Sequence, residues 1–181
     1  MLQQKDKQEK LLKKNIKGKN ILVTGAGGSI GSELCRQILE LSPKKIILLD
    51  NSEFNLYNID YQLSLSKRRS EIIPVLSDVT NFDQVERIIR ENDIDTIYHA
   101  AAYKHVPLIE YNQSQGVLNN TIGTWAAAEA AISANVETFV LISTDKAVNP
   151  TNVMGASKRA AEMYVQSLQN SKELKTGSVL K

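Results

Sequence analysis

The residues with the clearest chemical capacity lie in two neighbouring segments in the second half of the chain. Ser143-Thr144-Asp145-Lys146 follows the apolar run 139–142 directly, and a segment that starts with Met154 and ends with Lys158 begins eight residues after Lys146. Together they place one carboxyl and two amino groups at the end of a predicted strand. A carboxylic acid and amines held close together can donate and remove protons, so this region predicts acid–base chemistry.

A glycine-rich segment near the start of the chain, TGAGGSIG at 24–31, predicts a dinucleotide site. Gly25, Gly28 and Gly31 follow the first predicted strand and open the first predicted helix. There they permit a tight turn, close approach of the backbone to phosphate, and close helix–strand packing. Thr24, Ser29 and Ile30 belong to the same predicted site, while a plain turn between a strand and a helix is the alternative.

A carboxylate at the end of the second predicted strand supports the dinucleotide interpretation. Asp50 lies 19 residues after Gly31, where a carboxylate accepts hydrogen bonds from the ribose 2′-hydroxyl of adenosine. It would repel a 2′-phosphate, and the following Asn51-Ser52-Glu53 supplies no cation to neutralise one. The sequence therefore favours NAD over NADP.

Two further segments extend the predicted cofactor site. Asp78 and Val79 follow the third predicted strand, where they can hydrogen-bond and pack against adenine, although Asp78 could equally cap the next helix. Ala100 and Ala101 follow the fourth strand, and their small side chains would let a cofactor pass close to the backbone. Simple tight packing would require the same small residues.

The elements that must position these residues alternate along the chain. Apolar, β-branched runs predict five strands, and their near-continuous hydrophobicity is typical of strands buried on both faces of a parallel sheet. Helix-length segments lie between them, and Pro43 and Asn81 are suited to end the first helix and to cap the third. The predicted fold is α/β, a doubly wound parallel sheet of the Rossmann type. Its strands are predicted at 21–24, 45–49, 72–76, 96–99 and 138–143, and its helices at 29–41, 53–66, 83–92, 113–135 and 152–170.

The two ends of the chain differ from this alternating pattern. Residues 1–17 hold six lysines and few large apolar groups, which predicts a basic linker or N-terminal extension. Residues 18–171 are predicted to form the dinucleotide-binding domain that also carries the reacting groups. Residues 172–181 show no clear sixth strand and predict the tail of a fold truncated before a sugar-nucleotide-binding part.

Composition excludes several classes of protein. The 22 basic and 20 acidic residues give a net charge of +2, which does not indicate a nucleic-acid partner. No apolar stretch approaches the ~20 residues of an integral membrane segment. The single cysteine, Cys35, excludes an internal disulfide, and no metal site is predicted. We expect a cytoplasmic location, with membrane association only through an upstream region of a longer parent protein.

These motifs resemble those of the extended short-chain dehydrogenase/reductases, and within them the nucleotide-sugar 4,6-dehydratases of bacterial polysaccharide and protein-glycan biosynthesis. The resemblance spans roughly residues 17–170. It rests on VTGAGGSIGSEL at 23–34, HAAAYKHVP at 99–107, and STDKAVNP at 143–150 with MGASK at 154–158.

One position departs from the common pattern of these enzymes. Most short-chain dehydrogenases place a tyrosine four residues before the active-site lysine, whereas here that place is taken by Met154. A thioether cannot transfer protons. Some capsule-type and larger membrane-associated 4,6-dehydratases also carry methionine there, so the resemblance points to that branch and away from an ordinary epimerase.

The resemblance implies an internal redox cycle on UDP-N-acetylglucosamine that yields a UDP-4-keto-6-deoxy sugar. It implies Lys146 as the base, Asp145 as the acid, Thr144 as a partner of the C4 oxygen, and Lys158 beside the nicotinamide ribose. Such roles require a lowered lysine pKa and a raised aspartate pKa, which desolvation under a bound sugar would promote, although mutual attraction would oppose both shifts. Lys104, His105 and Met154 are the candidate substrate-binding residues.

The resemblance also implies a homo-oligomer, which would form through the helices at 113–135 and 152–170. Ala126-Ala127-Ala128 would allow close approach of helices there, or would suit packing onto the sheet. A nucleotide-sugar 4-epimerase and a non-catalytic dinucleotide-binding or assembly module are the alternative functions.

Overall fold

The computed structural model describes residues 13–66, 69–170 and 177–180 of the chain. In this part of the chain, six strands form one parallel sheet in the order β3-β2-β1-β4-β5-β6. The predicted doubly wound sheet is thereby confirmed. The strands are β1 (Asn20–Thr24), β2 (Lys45–Asp50), β3 (Glu71–Leu76), β4 (Thr96–His99), β5 (Thr138–Ile142) and β6 (Gly177–Leu180).

Helices connect the strands across both faces of the sheet. The predicted helix that follows β4 is interrupted by a π-helical segment, Leu118–Ile122. A single 3₁₀ turn, Asp145–Ala147, follows β5. The α-helices are α1 (Ser29–Glu40), α2 (Glu53–Ser64), α3 (Phe82–Glu91), α4 (Val106–Tyr111), α5 (Gln113–Val117), α6 (Gly123–Ser133) and α7 (Val153–Asn170).

The sixth strand corrects the prediction for the C-terminal residues. β6 pairs in parallel with β5, with Phe139 opposite Gly177 and Ile142 opposite Leu180. Four residues are too few to show a strand period, so the local sequence does not predict this strand. Pairing with the edge of β5 stabilises it. The predicted tail is therefore wrong for residues 177–180, while 171–176 and 181 lie outside the described residues.

The folded domain also begins before the predicted boundary at residue 18. Ile16 is 2% exposed and joins the core, and the Thr96 hydroxyl donates a hydrogen bond to the carbonyl of Asn15 at 3.0 Å. Residues 13–17 therefore belong to the folded domain and are not a linker. The rest of the predicted N-terminal extension, residues 1–12, lies outside the described residues.

Alternating strand side chains feed two cores, one on each face of the sheet. Ile21 and Val23 face the core beneath α1 and α2, whereas Leu22 between them faces the core beneath α3, α6 and α7. This period of two is the geometry of a strand covered on both sides. Cys35 is fully buried, and burial raises the pKa of its thiol to about 12, so it serves as a small apolar residue.

The strand order places the candidate residues at one edge. All strands run parallel, so their carboxyl ends meet at the same edge of the sheet, and the order reverses between β1 and β4. Ligands of doubly wound folds bind in the crevice that opens at such a reversal. No helix among the described residues is long and apolar enough to cross a membrane.

Candidate active site

The glycine-rich turn has the tight geometry that the sequence predicts. Gly25 adopts φ +65°, and a Cβ there would lie 2.7 Å from the backbone of Ala101. A Cβ on Gly31 would overlap the carbonyl oxygen of Gly25. Gly28 is the N-cap of α1 and brings no side chain to its open N–H groups. The turn therefore leaves room for an anionic group at the start of α1.

Asp50 is fixed beside this turn. Its carboxylate accepts hydrogen bonds from the backbone N–H of Gly27 and of Ser52, each at 2.9 Å, and the residue is largely buried. The two bonds use one lone pair on each oxygen, so the carboxylate retains acceptor capacity. It lines the neighbouring cleft and can accept a ribose hydroxyl there.

A cleft of about 190 Å³ brings half of the predicted cofactor residues together. Of these, Gly25, Gly28, Asp50, Val79, Ala100 and Ala101 line it. The sequence interpretation missed four polar lining residues, Asn51, Asn55, Ser77 and Asn119. Asn51 and Ser77 lie just after the second and third strands, and Asn55 lies in the helical turn that follows Asn51. Polar residues at the ends of these strands could have been predicted to line the site.

Asp78 lies outside the lining of this cleft. Its Oδ1 accepts hydrogen bonds from both the backbone N–H and the hydroxyl of Thr80, at 2.8 Å each. The cap of α3 is Asn81, whose Oδ1 accepts from the N–H of Gln84 at 3.1 Å. The capping alternative for Asp78 is therefore wrong, and its carboxylate stabilises the turn after β3.

A second cleft, of about 300 Å³, collects the predicted reacting groups. Thr144 and Lys146 from the segment after β5 meet Met154 and Lys158 from α7 there, and Lys104 and Ile30 line it as well. Ala100, Ala102 and Tyr103 line both clefts. The candidate dinucleotide site and the candidate reaction site are thus continuous.

Lys158 is the most strongly buried of the candidate reacting residues. It is 4% exposed, and its ammonium donates a hydrogen bond of 2.8 Å to the carbonyl oxygen of Ile142. Burial lowers the pKa of Lys158 to about 8, although the nearby Glu162 carboxylate acts in the opposite direction. An amine with this pKa is partly neutral in mildly basic solution.

Asp145 differs from the role that resemblance implies for it. Its side chain is 92% exposed and lies outside the lining of the reaction cleft. A hydrogen bond from the Thr144 hydroxyl at 3.0 Å, and then the ammonium of Lys146 at 3.8 Å, lower the pKa of Asp145. A general acid at neutral pH requires a raised pKa, so the open cleft does not by itself give Asp145 the pKa that its implied role needs.

The structure separates the three candidate substrate residues. Met154 is buried one helical turn before Lys158 and shapes the wall of the reaction cleft. Lys104 donates a short hydrogen bond to the hydroxyl of Ser29, so its ammonium lies at the start of α1. His105 is the N-cap of α4 and lines an adjoining cavity of about 430 Å³ with Leu108 and other residues.

Asn120 holds the backbone of Tyr103, a residue that lines all three cavities, and the sequence interpretation missed it. Its side chain accepts from the N–H of Tyr103 at 2.7 Å and donates to the carbonyl of the same residue at 3.0 Å. It also donates to the hydroxyl of Ser157 on α7 at 3.1 Å. Asn120 belongs to the π-helical segment, a distortion that is frequent at functional sites. Two adjacent asparagines in an apolar helical stretch were the available signal.

His99 supports the same region from within the core. Its Nδ1 lies 2.8 Å from the Thr24 hydroxyl and its Nε2 lies 3.0 Å from the Thr124 hydroxyl. Because Thr124 donates to the carbonyl of Asn120 at 2.7 Å, it must accept from Nε2, so Nδ1 accepts from Thr24. Burial and the charge of Lys158 lower the pKa of His99 to about 3. The histidine is thus neutral and structural, as its position at a strand end predicts.

The chain is similar to proteins of polysaccharide biosynthesis and of nucleotide-sugar conversion. A family profile described as "Polysaccharide biosynthesis protein" matches residues 21–180. The capsular polysaccharide biosynthesis protein CapD of Staphylococcus aureus is 52% identical over 159 residues, which are 87% of this chain and 26% of that protein. A UDP-N-acetylglucosamine 4,6-dehydratase (inverting) of Campylobacter jejuni is 34% identical, with 84% of this chain and 44% of that protein covered.

Other similar proteins perform a related reaction or share the fold. A UDP-glucose 4-epimerase of Rickettsia canadensis is 32% identical, with 80% of this chain and 42% of that protein covered. The solved structure of Pen from Bacillus thuringiensis superposes with a TM-score of 0.82 at 33% identity, over 91% of this chain and 50% of that chain. The chain therefore spans half or less of the length of each of these proteins.

Proposed function

This chain belongs to the family of polysaccharide biosynthesis proteins, and we propose that it is the NAD-binding and catalytic part of a nucleotide-sugar 4,6-dehydratase. Such an enzyme is a lyase. It would convert UDP-N-acetylglucosamine to a UDP-4-keto-6-deoxy sugar. The observation that carries the proposal is the meeting of Thr144, Lys146, Met154 and Lys158 in one cleft that continues into the cleft of Asp50. Similarity to the dehydratase of Campylobacter jejuni supports the choice of reaction and substrate.

The first cleft fits NAD. The Asp50 carboxylate is fixed and can accept a ribose hydroxyl, while the start of α1 and the Lys104 ammonium suit a pyrophosphate. Val79 and Ala100 offer apolar surface for adenine and for the close passage of the dinucleotide. When bound, NAD⁺ supplies reversible hydride acceptance, so it returns to its starting state in each cycle.

The residues of the second cleft would handle the protons of the reaction. The Thr144 hydroxyl would hydrogen-bond the sugar oxygen at C4, and the buried Lys158 charge would favour transfer of the C4 hydroxyl proton to water in the cleft. With C4 oxidised, the C5 proton becomes acidic, and the Lys146 amine would remove it. The Asp145 acid would protonate the C6 hydroxyl, which leaves as water. Covering of the open cleft would desolvate Asp145 and raise its pKa toward this role. The hydride removed from C4 would then be delivered to C6, and Lys146 would return its proton to C5, which gives the 4-keto-6-deoxy sugar.

The adjoining cavity extends the proposed substrate site. It shares Ala102, Tyr103 and Lys104 with the reaction cleft, and it adds His105 and the amide side chains of Asn112 and Gln115. Amides and cations of this kind can hydrogen-bond sugar hydroxyl, acylamino and phosphate groups. Lys104 and His105 would therefore bind the UDP-sugar here, while Met154 would contact it from the wall of the reaction cleft.

We also propose that the chain forms a homo-oligomer through the helices of residues 113–133 and 153–170. Leu118, Ile122 and Trp125 are partly exposed at helical spacing, and Met163 is exposed on α7. The alanines at 126–128 are fully buried inside the subunit. They therefore pack within the fold and do not form the contact between subunits. The proposed location is the cytoplasm, where UDP-sugars would be available.

Mass spectrometry tests the proposed reaction. We would incubate the chain with NAD⁺ and UDP-N-acetylglucosamine, using Lys146→Met and the exposed-lysine variant Lys44→Met as matched samples. A dehydratase yields a product lighter by one water, ~18 Da, because its redox steps cancel. Loss of this product in Lys146→Met but not in Lys44→Met would support the proposal. An isomer of unchanged mass would instead establish the epimerase, and NAD⁺ binding with no product would favour the dinucleotide-binding module.

A further inference from the structure

The first turn of α7 is anchored by a side chain from another helix. The first N–H groups of a helix have no partner within it. Here Asn152 accepts from the N–H of Gly155 at 2.8 Å, as a local cap does. The N–H of Val153, however, donates to the Glu110 carboxylate on α4 at 2.7 Å, across 43 residues of sequence. A carboxylate at this end of a helix also interacts favourably with the helix dipole.

Glu110 lies on an element that has its own fixed position. Ile109 beside it is 4% exposed, and its side chain fills the space where a Cβ on Gly116 would lie. At the end of α4, the Asn112 amide donates to the carbonyl of Leu108 at 2.9 Å. α4 therefore offers a firm attachment point for α7.

The anchored turn carries one wall of the reaction cleft. Met154 lies within it and Lys158 lies one turn later, and both line the cleft. Gly155 lets the turn pack against the carbonyl of Lys146, because a Cβ at this position would overlap that oxygen. Displacement of the first turn would move Met154, Gly155 and Lys158 relative to Tyr103 and Lys104, which precede α4.

We propose that Glu110 is a positioning residue for the reaction cleft. Its carboxylate holds the N-terminus of α7 against α4, and so sets the distance between the wall made by Met154 and Lys158 and the wall made by Tyr103 and Lys104. The effect on turnover rests on the proposed function, whereas the anchoring itself does not. Small displacements of reacting groups can lower rates by about 10²-fold, so such an anchor matters for chemistry.

Two substitutions at this position separate anchoring from charge. Glu110→Ala removes the acceptor, and Glu110→Gln keeps an acceptor oxygen at the same reach while it removes the charge. Glu91→Ala is the matched control, because Glu91 is also exposed on a helix and its ion pair with Arg87 spans a single turn of α3. The three variants and the wild type would be compared with NAD⁺ present.

The first measurement is amide hydrogen exchange at residues 153–156. We expect exchange there to be about tenfold faster in Glu110→Ala, the size of effect that loss of a helix cap produces. Glu110→Gln should stay close to the wild type, and Glu91→Ala should match it. NAD⁺ affinity should be unchanged in Glu110→Gln and Glu91→Ala, because both variants leave the anchored turn and the cleft of Asp50 in place.

The second measurement is turnover of UDP-N-acetylglucosamine. We expect kcat to fall about tenfold in Glu110→Ala and to recover in Glu110→Gln, with the melting temperature nearly unchanged. Wild-type exchange at 153–156 in Glu110→Ala would overturn the inference, and so would equal damage in the Ala and Gln variants. A wild type that forms no product would count against the proposed function alone, since the exchange result still decides the anchoring.

Discussion

At the scale of single residues, Lys158 shows most clearly how the fold changes the chemistry of a side chain. An exposed lysine is charged at every physiological pH, whereas burial lowers the pKa of this one to about 8. Its hydrogen bond to the carbonyl of Ile142 keeps the amino group at the cleft wall. Burial of its charge lowers the free energy of unfolding, by an amount that depends on pH.

The Lys158→Met variant tests this effect. Below pH 8 the wild-type lysine is protonated in both the folded and the unfolded state, so the folded state bears the cost of the buried charge. Between about 8 and 10.5 the unfolded chain binds more protons, so wild-type stability rises with pH. We expect Lys158→Met to melt above the wild type at pH 7, with a difference that shrinks by pH 10. Thermal melts from pH 7 to pH 10 measure it. Lys44→Met should show no such trend, and a constant difference would contradict the buried charge.

Asp50 is a residue with two tasks, since it orders the glycine-rich turn and selects the cofactor. We expect Asp50→Asn to weaken NAD⁺ binding about tenfold, because hydrogen bonds to a charged acceptor contribute about 1.5–3 kcal/mol. NADP⁺ binding should weaken much less, since the variant no longer repels a 2′-phosphate. Isothermal titration with both cofactors measures the change in preference. Asp83→Asn, at an exposed position of α3, is the control. An unchanged preference for NAD⁺ in Asp50→Asn would argue against the proposed ribose contact.

At the scale of elements, the site depends on how closely α1 and α7 approach the loops beneath them. Glycines make both approaches possible, Gly31 against the carbonyl of Gly25 and Gly155 against that of Lys146. The π-helical segment has a comparable effect, because it directs Asn120 toward the backbone of Tyr103. These close contacts determine the shape of both clefts.

Gly31→Ala tests the approach of α1. The added methyl group would overlap backbone rather than a flexible side chain, so α1 or the turn must shift. Overpacking of this kind typically costs about 1–3 kcal/mol, and we expect a lower melting temperature together with NAD⁺ binding weakened more than tenfold. Calorimetry and titration would show both effects. Ser32→Ala, one position further along α1, should change neither, and wild-type affinity in Gly31→Ala would contradict the proposed phosphate turn.

At the scale of the whole molecule, the sheet is covered on both faces and yet large apolar side chains stay exposed. Trp125 is 43% exposed, and its ring centroid lies 6.4 Å from that of Phe82. Together with Leu118 and Ile122 it forms an apolar surface of the kind that marks protein interfaces. This surface lies on one of the two helical segments of the proposed oligomer.

Trp125→Glu tests that interface. A charge at its centre should convert an oligomer to a monomer, because a desolvated, unpaired carboxylate is costly at an interface. Light scattering after size-exclusion chromatography measures the mass, and circular dichroism checks that the helix content is unchanged. Tyr61→Glu, at a comparably exposed aromatic residue on α2, should keep the wild-type mass. A monomeric wild type, or equal loss in both variants, would overturn the proposed interface.

Local patterns in the sequence were sufficient to predict the main elements. Buried parallel strands read as continuous apolar runs, and the glycine turn with Asp50 follows from spacing that strand–turn–helix geometry imposes. The predicted strands and long helices agree with the observed ones to within about two residues. Short elements were different. β6 depends on the open edge of β5, and the six residues of α4 are too few to show a helical period.

The character of the site was decided by contacts between residues far apart in sequence. The burial that lowers the pKa of Lys158 and the hydrogen bond from the N–H of Val153 to Glu110 both depend on which elements meet. Residue type and spacing are properties of a short stretch of chain. Desolvation and hydrogen-bond partners are properties of the neighbours that folding brings together, and these set both the pKa of a group and the place where it can act.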